Sequence, residues 1–186
     1  MTRPSCGKSM MIRPREQVEG LAEPAYNGNG NKRELDGKAG EYTMTEEMKN
    51  CAYCAEGERL DAFGIKICEL PMSKVILFKE QSHRGRVIVA CRKHVDDMTN
   101  LSREERIQFM EDVNRTAEVL HELFHPDKIN FGAYGDTMHH LHFHLVPKYR
   151  DGFEWGGVFA MNPGRETLSQ EAYEELIARI REALEA

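Results

Sequence analysis

Met138-His139-His140-Leu141-His142-Phe143-His144-Leu145-Val146-Pro147 is the stretch on which the fold turns. His140, His142 and His144 alternate with Leu141, Phe143 and Leu145. Successive side chains on a β-strand point to opposite faces. The spacing therefore puts three imidazoles on one face and three large apolar groups on the other. The apolar side needs a core beneath it, and the imidazole side is left as a polar row. Pro147 lacks a backbone donor and is expected to end the strand's pairing. The row can be read as a metal site, a nucleophile with helpers, or a structural network. Three histidines alternating on one strand are an improbable accident, which disfavours the network. One strand face brings two ligands to an ion more easily than three, so at least one imidazole should stay free. A free imidazole, with an unperturbed pKa of roughly 6.5, is largely neutral and nucleophilic at neutral pH.

Working outward, the segments before the row read as strands. These are 63–68, with Ile65 and Ile67; 74–79, with Val75, Ile76 and Leu77; and 86–91, with Val87, Ile88 and Val89. Gln81-Ser82-His83-Arg84-Gly85 is a turn between the last two. Ser102-Arg103-Glu104-Glu105 is a capping box that opens a long helix. Ile107, Met110, Val113, Ala117, Leu120 and Phe124 recur at steps of three and four and predict its apolar face, which Pro126 closes. His121 and His125 on this helix read as structural. Residues 129–135 form a glycine-broken strand. Residues 149–164 are loop around the only tryptophan, Trp155. Ser169 caps a final helix that buries Tyr173, Leu176, Ile177, Ile180 and Leu184. The class is α+β, a mainly antiparallel sheet of about five strands with one long helix and a C-terminal helix.

The chain has 186 residues, 40% of them hydrophobic, which suits one domain with an appendage. Residues 1–47, rich in Pro, Gly and Asn without sustained period, are expected to be a disordered extension. The remainder divides into 48–150 and a loop and helix, 151–186, packed on it. A net charge of −6 argues against broad binding to nucleic acid or anionic membrane. No window approaches the roughly 20 apolar residues of a membrane span, and a cytoplasmic location is expected. Five cysteines with no export signal suggest reduced thiols. Cys68 and Cys91 lie in apolar runs as small core residues. Cys51-Ala52-Tyr53-Cys54 is open to three readings: redox pair, unliganded thiols or tetrahedral zinc. Histidines elsewhere in the chain favour zinc.

His140-Leu141-His142-Phe143-His144-Leu145-Val146 resembles the His-φ-His-φ-His-φ-φ signature of the histidine triad superfamily, where φ is apolar. The likeness extends over about residues 51–150 and is strongest toward bacterial zinc-containing members similar to diadenosine polyphosphate hydrolases. The resemblance implies a cytoplasmic homodimer that pairs its long helices and extends its sheet across the seam. It implies a nucleotide hydrolase acting at a nucleoside α-phosphate, on a dinucleoside polyphosphate or a nucleoside phosphoramidate. His142 would attack phosphorus and carry a covalent nucleotidyl group, and His144 would donate to a phosphoryl oxygen or the leaving group. Transfer to phosphate or a sugar phosphate, and a non-catalytic nucleotide-binding adaptor, are the rival readings. The zinc ligands carried over are Cys51, Cys54, His94 and His140, with His83 the weaker substitute for His94.

Candidates for substrate binding are Asn130, Thr137, Asp136, Lys148 and Arg86. Lys148 would neutralise a distal phosphate. Asp136 stands where many relatives carry glutamine. Arg86 stands where some carry a further histidine, and Ala90-Cys91 replaces an Ile-Pro pair. His139 has no counterpart in the motif and is expected to face away from the site. The Trp155-Gly156-Gly157 loop is expected over the phosphate tail or the dimer seam.

Overall fold

The computed structural model describes residues 44–186. Most of the expected extension, and Cys6 with it, lies outside the described residues. Its last residues are helical: Thr45 accepts a hydrogen bond from the Met48 amide and caps α1, Glu46–Asn50. α2, Ala52–Ala55, and α3, Glu58–Asp61, follow at once.

Five strands form one sheet in the order β1-β2-β3-β5-β4, every pairing antiparallel. They are β1 Gly64–Glu69, β2 Ser73–Phe78, β3 Val87–Cys91, β4 Lys128–Gly132 and β5 His142–Lys148. β3 opposes the histidine strand, with Ile88 across from His144 and Ala90 across from His142. β5 does not stop at Pro147, which pairs with Ile129 before Lys148 pairs with Lys128. The last β3 partner of β5 is at Leu145. Beyond it, a residue with no N–H to give that side costs the sheet nothing.

One face of the sheet carries the main core. Val75, Leu77, Val87, Val89 and Leu145 lie there, fully buried, against α4, Arg103–Phe124, and α5, Gln170–Glu185. Burying each such side chain contributes roughly 1.5–3 kcal/mol. The expected caps are present: Ser102 and Glu105 exchange hydrogen bonds at the start of α4, and Ser169 accepts from the Ala172 amide. α5 buries the five residues expected of it. α4 is rotated from its expected orientation. Phe109, Asp112, Val113, Thr116, Ala117, Val119 and Leu120 are buried, while Ile107 is 47% and Met110 39% exposed. Asp112 is satisfied on that side, its carboxylate accepting from the Met72 amide and the Ser73 hydroxyl, each at 2.8 Å. So paired, the carboxylate can be buried along with Phe109 and Val119, which are fully buried.

On the opposite face, Tyr53 and Leu60 from the short helices pack on Ile76, Phe78, Ile88 and Ala90. This smaller cluster floors the imidazole row. Gly64 is required there, because a Cβ would stand 2.6 Å from Ile76 Cγ2.

Candidate metal centre and active site

Both ends of the imidazole row are built, and differently. At the first, α1 and α2 deliver Cys51 and Cys54, the segment after β3 delivers His94, and His140 precedes β5. Cys51 Sγ lies 3.3 Å from His140 Nδ1, and Cys54 Sγ lies 3.3 Å from His94 Nδ1 and 3.5 Å from His140 Nδ1. The two histidine Nδ1 atoms are 3.3 Å apart. With Zn–S near 2.3 Å and Zn–N near 2.0–2.1 Å, tetrahedral geometry puts ligand–ligand edges at about 3.3–3.8 Å. Four of the six donor–donor edges fall at 3.3–3.5 Å and all six within 4.8 Å, close to such a tetrahedron. The His140 ring is oriented from behind: its Nε2 is 2.7 Å from the Cys91 carbonyl. Donation there leaves the Nδ1 lone pair for an ion. The hydrogen bond from Cys54, with His140 beside it, holds the Cys51 thiol well below its ordinary value, and the same contact pushes Cys54 up. Cys51, Cys54, His94 and His140 form a metal site of the structural Cys2His2 type, and zinc fits its donors and dimensions. His83 takes no part in it and instead pairs with Glu154 at 3.0 Å.

At the second end, His142 and His144 are 6% and 3% exposed, their rings 5.2 Å apart and edge to face. His142 Nδ1 lies 2.6 Å from the His140 carbonyl, so the proton sits on Nδ1 and Nε2 keeps its lone pair. Burial holds the His142 pKa below the ordinary imidazole value. Burial, then the Arg86 charge, then His142 hold His144 down to about 3. Both rings are neutral at pH 7. Tyr53, between the two cysteines in sequence, packs 5.1 Å from His140 and 5.0 Å from His142. Tyr134 and Phe159 close around His144 at 6.4 and 6.1 Å. His142 opens into a cavity of about 340 Å³ that Asp96, Tyr134, Gly135, Asp136 and His139 also line.

The expected substrate ligands divide among several places. Asp136 borders the His142 cavity. Thr137 lines a neighbouring one beside Cys51 and His94. Asn130 and Lys148 share a groove with Trp155, Gly156 and Gly157. Lys148 is 2% exposed and donates to the carbonyls of Glu154 and Gly157, so its ammonium anchors that loop. Arg86 is wholly buried behind His144. His139, expected to face away, is exposed and lines the mouth of the His142 cavity, because the chain bends into β5 only after it. Sequence reasoning missed Tyr53, Phe159 and the buried Glu80. Of these only Tyr53 carried a signal, as an aromatic inside the Cys-x-x-Cys element.

An antiparallel α+β sheet with a Cys2His2 centre at one end of an imidazole row and uncommitted rings at the other defines the class. Comparison with known proteins agrees: residues 64–151 match the HIT domain family model. A curated relative, an uncharacterised HIT-like protein of Methanocaldococcus jannaschii, is 28% identical over 71 residues, 36% of this chain. The match spans about half of that relative, 55%. A histidine triad protein of Marinobacter aquaeolei superposes with a TM-score of 0.64 at 24% identity, over 70% of this chain and 95% of its own. A zinc-bound histidine triad family protein of Mycobacterium smegmatis gives 0.54 at 26% identity, over 74% and 95%. A diadenosine triphosphate hydrolase of Plasmodium falciparum gives 0.51 at 18% identity, over 66% and 82%, a likeness of fold alone.

Proposed function

We propose that this protein is a nucleotide hydrolase that cleaves at a nucleoside α-phosphate through a covalent nucleotidyl-His142 intermediate. One observation carries the reading. His142 spends Nδ1 on the His140 carbonyl, which leaves Nε2 unprotonated, and its ring borders a cavity, while the neighbouring metal site claims His140 instead. In the first step Nε2 forms a bond to the α-phosphorus as the bond to the leaving group breaks. The Nδ1–H···O=C contact stabilises the charge that develops on the ring. His144 gives a hydrogen bond to a phosphoryl oxygen in this reading. Water then displaces the nucleoside monophosphate and frees His142. The substrate class is a dinucleoside polyphosphate or a nucleoside phosphoramidate. The metal's part is structural, holding α1, α2 and the start of β5 together.

The working unit is a homodimer, and what supports it is an exposed apolar seam. β4 is an edge strand, and Phe131 on it is 50% exposed, as are Ile107 and Met110 of α4 in part. A cytoplasmic setting agrees with the free thiols of Cys51, Cys54, Cys68 and Cys91. Among the described residues no helix is long and apolar enough to cross a membrane.

Mass spectrometry of the zinc-loaded protein mixed with diadenosine polyphosphates and with adenosine phosphoramidate tests the reaction. The expected result is an adenylyl adduct mapped to His142, accumulating in His144→Ala. Turnover with no adduct, or an adduct on another residue, overturns the mechanism. Adenosine nucleotides bound but never cleaved would make the protein an adaptor.

A further inference from the structure

Arg86 has no part in the chemistry just described, yet it is the largest side chain that the fold buries completely. A buried guanidinium ordinarily faces a carboxylate. Here none of the ion pairs among the described residues includes it. One terminal nitrogen donates to the carbonyls of Met161 at 2.8 Å and Ala160 at 3.4 Å. The other reaches Met161 Sδ at 3.1 Å and His144 Nδ1 at 3.3 Å. The plane of the group lies over Phe78, 4.1 Å from its centroid, with Phe159 at 5.1 Å on another side, so ring faces compensate part of the desolvated charge.

A guanidinium has donors and no acceptor. Its contact with His144 therefore has one polarity: the arginine N–H donates, Nδ1 accepts, and the ring proton must sit on Nε2. We infer that Arg86 is a positioning residue, which holds His144 in the Nε2–H tautomer and ties that tautomer to the seating of residues 159–161. The catalytic meaning of this rests on the function proposed above, whereas the tautomer exists with or without substrate.

Two further observations support the link to the segment 159–161. Phe159 is buried against both Arg86 and the His144 ring, and its ring packs on Tyr134 at 6.0 Å. A few residues on, Glu80 Oε1 accepts from the amides of Arg165 and Glu166, and the Gln81 amide donates to the Glu166 carbonyl. The segment is thus fastened beyond Met161 by the turn that precedes Arg86, and its middle is fastened by Arg86 itself. His144 receives from this arrangement a fixed direction for its single N–H. A ring with Nδ1 so occupied can turn only Nε2–H toward the space beside His142. It presents a standing hydrogen-bond donor there, and never a lone pair that would repel a phosphoryl oxygen.

The test is nitrogen-15 NMR of the histidine rings in the zinc-loaded full chain at neutral pH, with His144 assigned through His144→Gln. The inference requires a pyrrole-type Nε2 and a pyridine-type Nδ1, and a protonated Nδ1 overturns it. Arg86→Met should move His144 to a mixture of tautomers. It should also lower kcat by roughly 10- to 100-fold, the usual effect of losing an orienting partner, with KM little changed. Arg86→Lys, which retains one donor, should restore the Nε2–H form and part of the loss. A raised KM at unchanged kcat in Arg86→Met would instead make Arg86 a substrate ligand and overturn the inference. Should Arg86→Met not fold, the wild-type spectrum and the lysine variant decide. A wild-type ring in the stated tautomer with no nucleotidyl adduct on His142 would sink the proposed function and leave the role of Arg86 intact.

Discussion

The two ends of the imidazole row differ in a way that their sequence does not. His140, His142 and His144 have the same chemistry at a fixed spacing on one sheet face. What separates them is the partner of the second ring nitrogen. His140 uses Nε2 on the Cys91 carbonyl and turns Nδ1 to three other ligands. His142 uses Nδ1 on the His140 carbonyl, and its ring borders a cavity. His144 accepts at Nδ1 from Arg86. Metal ligand and, in the function proposed here, nucleophile and donor are thus one side chain in three hydrogen-bonding states. The lesson is that the atom behind each ring, and not the ring, assigns the task.

The sharpest way to separate the two ends is to remove one ring from each. His142→Ala should cut turnover by roughly ten-thousand-fold or more, as loss of a covalent nucleophile does. Its zinc content, measured by atomic absorption, should equal that of the wild type. Cys54→Ser, or chelation, should do the reverse first: one ligand of four is lost, and the melting temperature falls by roughly 10 °C or more. Calorimetry of both proteins checks this, and a His142→Ala protein that melts as early as Cys54→Ser would break the division. A smaller effect belongs to the His142–His144 end alone. At Gly132 an added Cβ would meet Tyr134 Cε2 at 2.6 Å and Phe159 Cζ at 2.9 Å. Gly132→Ala should cost about 1 kcal/mol in urea unfolding, the low end of overpacking because half-exposed Tyr134 can turn aside, and zinc affinity should not change.

The smallest effect concerns acid. His144 stays neutral in the fold down to about 3, while a free imidazole takes up its proton from roughly 6.5. Between those values the unfolded chain binds the additional proton, so stability declines as pH falls and is fully present at neutral pH. Urea midpoints of the zinc-loaded protein at pH 7 and pH 5 should differ less in His144→Gln than in the wild type. An equal loss in both would locate the acid-sensitive group elsewhere.

How much of this was legible in the sequence depends on how local the cause is. The alternation of His140 to Leu145 predicts a strand with a core on one side, and the caps at Ser102 and Ser169 act within four residues, so both could be read directly. The Cys-x-x-Cys pair and the family likeness together pointed to the four ligands that the fold brings within 4.8 Å. The surroundings of Arg86 and Lys148 could not be read from the sequence, for a common reason. Each is a cation whose partners lie on a loop after β5, six to 75 residues away along the chain, and charge alone does not foretell such a partner. The same holds for Asp112: helical periodicity placed it outside, and a turn 40 residues earlier drew it in. Pro147 was read as a terminator because the sequence does not show that β3 ends before it.

Tyr53 and the His140 carbonyl give the zinc centre a reach beyond its own coordination sphere. One is carried between two ligands and lies against the His142 ring; the other is the peptide oxygen of a ligand and steers that same ring. An ion that grips Cys51, Cys54 and His140 therefore also trains the aim of His142. Loss of zinc would thus be felt in where the His142 ring points as well as in the melting temperature.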